Sequence, residues 1–207
     1  MKVLILNGSP RDRGNTARVL AEITAVFDVC DVKWNMVHIG NKLIQGCTGC
    51  LGCYKLGKCV IDDIVNEVAP MVAEADGIVI GAPVYFASPP GTLISFLDRL
   101  FYSSRDSIDK TMKVGASVAV ARRGGITSTF DVLNKYFTGS QMPVVSSDYW
   151  NGVHGRVPGD VEHDAEGLQT MRILAENMTF LMKSINLGKE QFNLPEKKER
   201  IRTNFIR

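Results

Sequence analysis

The stretch Val3-Leu4-Ile5-Leu6-Asn7-Gly8-Ser9-Pro10-Arg11-Asp12-Arg13-Gly14-Asn15-Thr16 decides the fold. Its apolar start is strand-sized and runs at once into a Gly/Ser/Pro turn, so it reads as a buried strand. From Asn15 to about Phe27 the apolar residues Ala17, Leu20, Ala21, Ile23, Val26 and Phe27 recur at helical spacing. A strand that passes through a glycine turn straight into a helix is how a parallel α/β sheet begins.

The rest of the chain alternates in the same way. Residues 31–39 alternate apolar and polar and predict a second strand. Asp62 and Asp63 predict the start of a helix that runs to about Ala75. Ile78–Ile80 predicts a third strand, ending in Gly81-Ala82-Pro83. After Pro89 and Pro90 a helix carries Leu93, Phe96, Leu97 and Leu100, and Phe96-Leu97-Asp98-Arg99 reads as core and helix end. Val114–Val120 predicts a fourth strand, 127–137 a helix, Pro143–Val145 the start of a fifth strand, and 164–185 a last long helix with an apolar stripe. Helices on both faces of such a sheet put ligands at the carboxyl ends of the strands.

The chain has 207 residues, 45% hydrophobic and 22% charged, which suits one globular domain over 1–190 followed by a basic tail over 191–207. A net charge of +2 gives no argument for a nucleic-acid or membrane partner. No apolar run is long enough to span a bilayer, and the N-terminal run is too short for a secretory leader. The expected location is the cytoplasm, where thiols stay reduced.

Three loops should carry the chemistry. After the first strand, Ser9, Asn15 and Thr16 offer side-chain donors, Arg11 offers charge, and the helix start offers free N–H groups, which together suit a phosphate. The loop lacks the Gly-Lys-Ser/Thr ending of a nucleotide-triphosphate loop and the dinucleotide Gly-x-Gly-x-x-Gly. An ordinary capped turn remains the alternative. After the third strand, Tyr85 and Phe86 in a proline-stiffened loop can flank a flat ring, or can simply pack beneath the next helix. After the fourth, Ala121-Arg122-Arg123-Gly124-Gly125 brings backbone N–H groups and an arginine toward a ring's carbonyl edge. At least one of the two arginines reads as plain surface.

The most specific feature is Cys47-x2-Cys50-x2-Cys53-x5-Cys59, four thiols within 13 residues, interleaved with Gly46, Gly49, Gly52 and Gly57. Such a run can wind around a 4Fe–4S cluster, which takes four thiolates. Zinc usually shows two separated Cys-x-x-Cys pairs. A thiol relay or disulfide, and a site that keeps its cysteines empty, stay open. Cys30 reads as a small apolar residue.

Taken together, Gly8-Ser9-Pro10-Arg11, Gly14-Asn15-Thr16, the cysteine run through Asp62-Asp63, and Gly81-Ala82-Pro83-Val84-Tyr85-Phe86 resemble the iron–sulfur flavoproteins. That group is a branch of the NAD(P)H-dependent FMN reductase-like, flavodoxin-like proteins. The resemblance covers about residues 1–125. It implies a flavodoxin-like three-layer α/β sandwich with a five-stranded parallel sheet in the order 2-1-3-4-5. It implies that FMN phosphate is bound by Ser9, Arg11, Asn15 and Thr16, that the flavin ring meets Pro83, Val84, Tyr85 and Phe86 and the loop of Ala121, Arg122, Gly124 and Gly125, and that a cluster is ligated by Cys47, Cys50, Cys53 and Cys59 in an excursion over 44–62. It also implies a homodimer or a dimer of dimers, with one subunit's cluster near another's flavin.

The expected function is electron transfer between a ferredoxin-like or NAD(P)H donor and a small acceptor such as a quinone, a nitroaromatic, a free flavin or an oxygen species. No side-chain acid or base is required for it. A cluster-free NAD(P)H-dependent reductase and a zinc-binding or thiol redox sensor are the alternatives. Tyr149-Trp150-Asn151-Gly152-Val153-His154-Gly155 could reach the flavin or a neighbouring subunit, although a lone histidine is more often structural or exposed. The tail's Lys197-Lys198-Glu199-Arg200-Ile201-Arg202 reads as exposed or partner-packed, and Asn204-Phe205-Ile206 is apolar enough to dock on another subunit.

Overall fold

The computed structural model describes residues 1–196, 198, 199, 201, 203 and 205. Its sheet has five parallel strands in the order β2-β1-β3-β4-β5: β1 is Lys2–Asn7, β2 Lys33–His38, β3 Gly77–Pro83, β4 Val114–Ala121 and β5 Gly152–His154. Between them run the helices α1 (Asn15–Val29), α2 (Cys53–Leu56), α3 (Ile64–Glu74), α4 (Gly91–Ser103) and α5 (Ile126–Thr138), and α6 (Ala165–Phe192) follows. The expected architecture and strand order are therefore found.

The period-2 pattern of the strands sorts two cores. Val3 and Ile5 of β1, Val79 of β3 and Val114, Ala116, Val118 and Val120 of β4 face α1 and α6. Leu4, Leu6, Ile78, Ile80 and Ala82 face the other way, against α3, α4 and α5. Both faces of the sheet are covered, so polar chemistry is left to the strand ends.

The fifth strand differs from expectation. Pro143–Val145 makes only one bridge, Val144 opposite Gly115. Pro143 has no N–H to extend a ladder, although its carbonyl accepts from Gly115 N–H at 2.8 Å. The chain then leaves the sheet and returns at Asn151. That side chain is buried and donates to the Ser117 carbonyl at 3.0 Å, while the Asn151 backbone carbonyl accepts from Ala119 N–H at 3.0 Å. Pairing resumes as Ala119–Ala121 against Gly152–His154.

The last helix starts where expected, with Asp164 accepting from Gly167 N–H at 2.9 Å, and runs on to Phe192, past the expected end at 185 and the expected domain boundary at 190. Cys30 caps α1 and is half-buried against the core. Lys197, Arg200, Arg202, Asn204 and Ile206 lie outside the described residues, so half of the basic stretch and two of the tail's three docking residues go without a structural account. No helix among the described residues is long and apolar enough to cross a membrane.

Phe137 of α5 fills the notch left by Gly115 of β4, where a Cβ would fall 2.4 Å from the Phe137 Cγ. Phe137→Ala is expected to cost about 3–5 kcal/mol. The check is a lower denaturant midpoint at unchanged slope, and an unchanged midpoint would refute the packing account.

Candidate functional site

The loop after β1 is held from below and left open above. Gly8 N–H donates to the Gly81 carbonyl at 2.8 Å, Ser9 N–H to Asn7 Oδ1 at 3.0 Å, and Arg11 N–H to Ser9 Oγ at 3.1 Å. Helix α1 then begins at Asn15 without a side-chain cap and without an acidic residue in its first turn. Its first N–H groups and the positive end of its dipole face the loop, which is the arrangement that receives an anion. Ser9 and Thr16 are buried there, and Arg11 is exposed.

Asn15 carries a task that the sequence did not indicate. Its amide donates to the Val157 carbonyl at 2.9 Å, and its Oδ1 accepts from Gly159 N–H at 3.0 Å. It thereby ties the segment after β5 to the loop after β1 and retains one N–H for a ligand. His38 and Gly40 were also missed. His38 Nε2 donates to the Ser9 carbonyl at 2.5 Å, and its Nδ1 lies 3.3 Å from Asp12 Oδ1. Gly40 runs so close that a Cβ would sit 2.2 Å from the carbonyl carbon and oxygen of Ser9.

The second loop is a strained hairpin. Tyr85 and Ser88 exchange backbone hydrogen bonds of 2.8 and 3.0 Å, with Phe86 (φ 50°) and Ala87 (φ 57°) at the tip. A two-residue tip with both φ values positive normally takes Asn-Gly, so Phe-Ala stores strain of about 1–3 kcal/mol per residue. Phe86 is fully exposed and Tyr85 half exposed, so neither is packed beneath α4. The third loop touches the second. Gly125 has φ 97°, and a Cβ on it would lie 2.7 Å from Val84 Cγ1 and 2.9 Å from Ala87 Cα. Ser128 Oγ donates to the Ala87 carbonyl at 2.8 Å.

Of the remaining residues expected at the ring, Pro83 and Val84 are partly buried, Ala121 is buried, and Arg122 and Gly124 are exposed at the same edge. A hollow of about 310 Å³ opens beside Gly124 and Gly125, walled by Arg123, Tyr149, Trp150 and His154 among others. His154 therefore stands near the ring loops, with its Nδ1 3.5 Å from Asp164 Oδ2.

Cys47, Cys50, Cys53 and Cys59 line one further pocket, and none is in a disulfide. Among the described residues no group of three or more His, Cys, Asp or Glu side chains is arranged to hold a metal ion. The donor set still suits an iron–sulfur cluster, because four free thiols from one winding segment border one space. The backbone N–H of Gly52 and the Thr48 hydroxyl lower the Cys50 thiol from its ordinary pKa. Asn66 brackets Cys59, accepting from its N–H at 3.0 Å and donating to its carbonyl at 3.0 Å.

Arg99 of α4 reaches this pocket from the core. Its side chain is fully buried. Nε donates to Cys59 Sγ at 3.3 Å, Nη1 to the Gln45 carbonyl at 3.2 Å and Asp63 Oδ2 at 2.7 Å, and Nη2 to the Ile61 carbonyl at 3.1 Å and Asp63 Oδ1 at 2.9 Å. Burial pushes the Asp63 carboxyl up, but the hydrogen bonds from Arg99 and Val65 N–H outweigh it and hold the group below its ordinary range. The sequence carried a signal for this contact. A charged residue at a core position of a helix, between Leu97 and Leu100, must find a partner.

The sequence pattern of the family described as NADPH-dependent FMN reductase matches residues 1–156. The chain belongs to that family. An iron–sulfur flavoprotein of Methanocaldococcus jannaschii is 33% identical over 89% of this chain and 99% of its own length. One from Methanosarcina thermophila is 28% identical over 92% of this chain and 100% of its own. The NAD(P)H:quinone oxidoreductase of Methanothermobacter marburgensis shares the fold, with TM-score 0.67, 16% identity and coverage of 86% of this chain and 96% of that one. The protein is an FMN-dependent oxidoreductase of the flavodoxin-like fold.

Because a side chain at Gly40 would collide with the backbone of Ser9, Gly40→Ala is expected to displace the loop and weaken FMN retention at least about tenfold. Titration of stripped protein with FMN checks this, and wild-type affinity would take the loop out of the flavin site.

Proposed function

We propose that this protein is an iron–sulfur flavoprotein that passes electrons from a ferredoxin-like or NAD(P)H donor to a small-molecule acceptor such as a quinone, a nitroaromatic, a free flavin or an oxygen species. The observation that carries the reading is that four unpaired cysteines border one pocket, while the loops suited to FMN lie along the same helix. Leu93 of α4 packs on Gly8, and Arg99 of α4 meets Cys59. The names of both curated relatives support it.

Ser9, Thr16, Arg11 and the start of α1 hold the FMN phosphate. Asn15 contributes mainly by fixing the 157–159 segment beside it. Pro83 to Phe86, with Ala121, Arg122, Gly124 and Gly125, orient the ring and shield it from water. Cys47, Cys50, Cys53 and Cys59 hold a 4Fe–4S cluster. FMN supplies one- or two-electron chemistry and the cluster supplies one-electron chemistry. The protein's own part is to place and shield them. Leu43, Leu51, Leu56 and Val60 are exposed around the cysteine segment, which supports burial of that face in a homodimer or a dimer of dimers.

The cluster-free reading, an NAD(P)H-dependent reductase, has one observation in its favour. The hollow beside Gly124 and Gly125 is large enough for a small acceptor or a nicotinamide ring.

Anaerobic purification with iron, sulfide and flavin quantification separates the readings. Iron and sulfide together with flavin support electron transfer through a cluster. Flavin alone with fast NAD(P)H oxidation supports the plain reductase, and zinc without flavin supports a thiol sensor. The double variant Ser9→Ala/Thr16→Ala is expected to lose FMN affinity by about a hundredfold, as two hydrogen bonds to a charged group are removed. Cys53→Ala is expected to lose the 4Fe–4S spectrum and keep FMN. Wild-type flavin content in the first, or wild-type iron in the second, would overturn the corresponding assignment.

A further inference from the structure

We infer that Arg99 is the positioning residue of the cysteine segment: its guanidinium closes that segment in the metal-free protein and keeps an N–H on Cys59 Sγ when a cluster is held, raising the cluster's reduction potential. The second half rests on the electron-transfer reading above, and the first does not.

The argument begins with donor accounting. A guanidinium has five N–H groups, and all five of Arg99 are used. Their acceptors lie at both ends of the cysteine run. Gln45 precedes Cys47, while Cys59, Ile61 and Asp63 close the run or follow it. One side chain from a rigid helix therefore ties together two ends of the excursion over 44–62, which has almost no regular structure of its own. A loop of that length pays a closure entropy, and the fork offsets it before any metal arrives. Asp63 matches the fork in a bidentate pair, and Asn66 fixes the Cys59 backbone from the other side.

Charge gives the second half. The Asp63 carboxylate balances the guanidinium, and Nε is the one donor aimed at sulfur. Hydrogen bonds to ligating sulfurs, together with burial, are what set cluster potentials. A buried cation with its N–H on one thiolate favours the more negatively charged, reduced cluster. The assignment also explains why a charged residue is tolerated at a core position of α4.

The test uses the full chain with Arg99→Lys and Arg99→Met. Lysine keeps the charge and loses the fork, and methionine loses both. In metal-free protein, amide exchange over 45–63 is expected to speed up at least about tenfold in both variants, the cost of losing hydrogen bonds to a charged group, with exchange over 7–16 unchanged. In anaerobically prepared protein, the cluster midpoint is expected to fall in Arg99→Met and to fall less in Arg99→Lys. Unchanged exchange over 45–63 would overturn the closing role. Wild-type midpoints in both variants would overturn the tuning role. If neither variant folds, Asp63→Asn keeps the α3 cap and removes the charge partner. Faster exchange over 45–63 then supports the closing role, and wild-type exchange overturns it. Wild-type protein that never carries iron would defeat the electron-transfer reading and with it the tuning role, while the exchange result would still decide the closing role.

Discussion

The structure depends on the burial of one parallel sheet on both faces. Every residue of β4 is buried, and so are nearly all of β1 and β3. A side chain in the middle of such a strand can only pack. Polar work moves to the strand ends, and parallel strands put all their carboxyl ends on one edge. Ser9, Tyr85 and Gly125 belong to three separate loops, yet they meet there for this reason alone. The contacts between loops are second-order consequences: Gly8 on Gly81, Val84 against Gly125, and Asn15 across to 157–159.

Within that frame α4 fixes the relation between the two candidate sites. Leu93, Phe96, Leu97 and Leu100 are fully buried, so the helix has no freedom to slide on the sheet. Its first turn packs on the loop after β1 and its third carries Arg99 to the cysteine pocket. The six steps from Leu93 to Arg99 span about 9 Å of helix axis. A rigid spacer of that kind sets a separation that surface loops could not keep constant.

Most of the fold was legible in the sequence because short apolar runs and amphipathic helices alternate without interruption. The fifth strand was not. Its expected position at Pro143–Val145 has the right composition, but ladder pairing is decided by where N–H groups can reach, and Asn151 supplies that anchor from a polar stretch. The candidate loops were legible from glycine and hydroxyl chemistry at strand ends. What they touch was not: Asn15 offers a phosphate donor in one dimension, and in three it also ties the loop to 157–159. His38, Gly40, Asn66 and Arg99 were missed for the same reason. His38, Gly40 and Arg99 act on residues distant in the chain and Asn66 on the backbone of Cys59, and only Arg99, a charge among leucines, left a mark in the local pattern.

The hairpin at Phe86 and Ala87 shows how the edge differs from the core in what it optimises. Two non-glycine residues hold positive φ, and an aromatic ring stands in water. Either cost could be removed by an Asn-Gly tip with no change to the strands on each side. The tip is instead locked in place by the Tyr85–Ser88 pair, by Ser128 on the Ala87 carbonyl, and by the close approach of Gly125. Strain that is over-determined by its surroundings in this way is a feature of binding edges. An exposed Phe and a half-exposed Tyr, held by a locked turn, suit the flat ring proposed for this edge. Covering them on binding recovers apolar burial that the free protein forgoes.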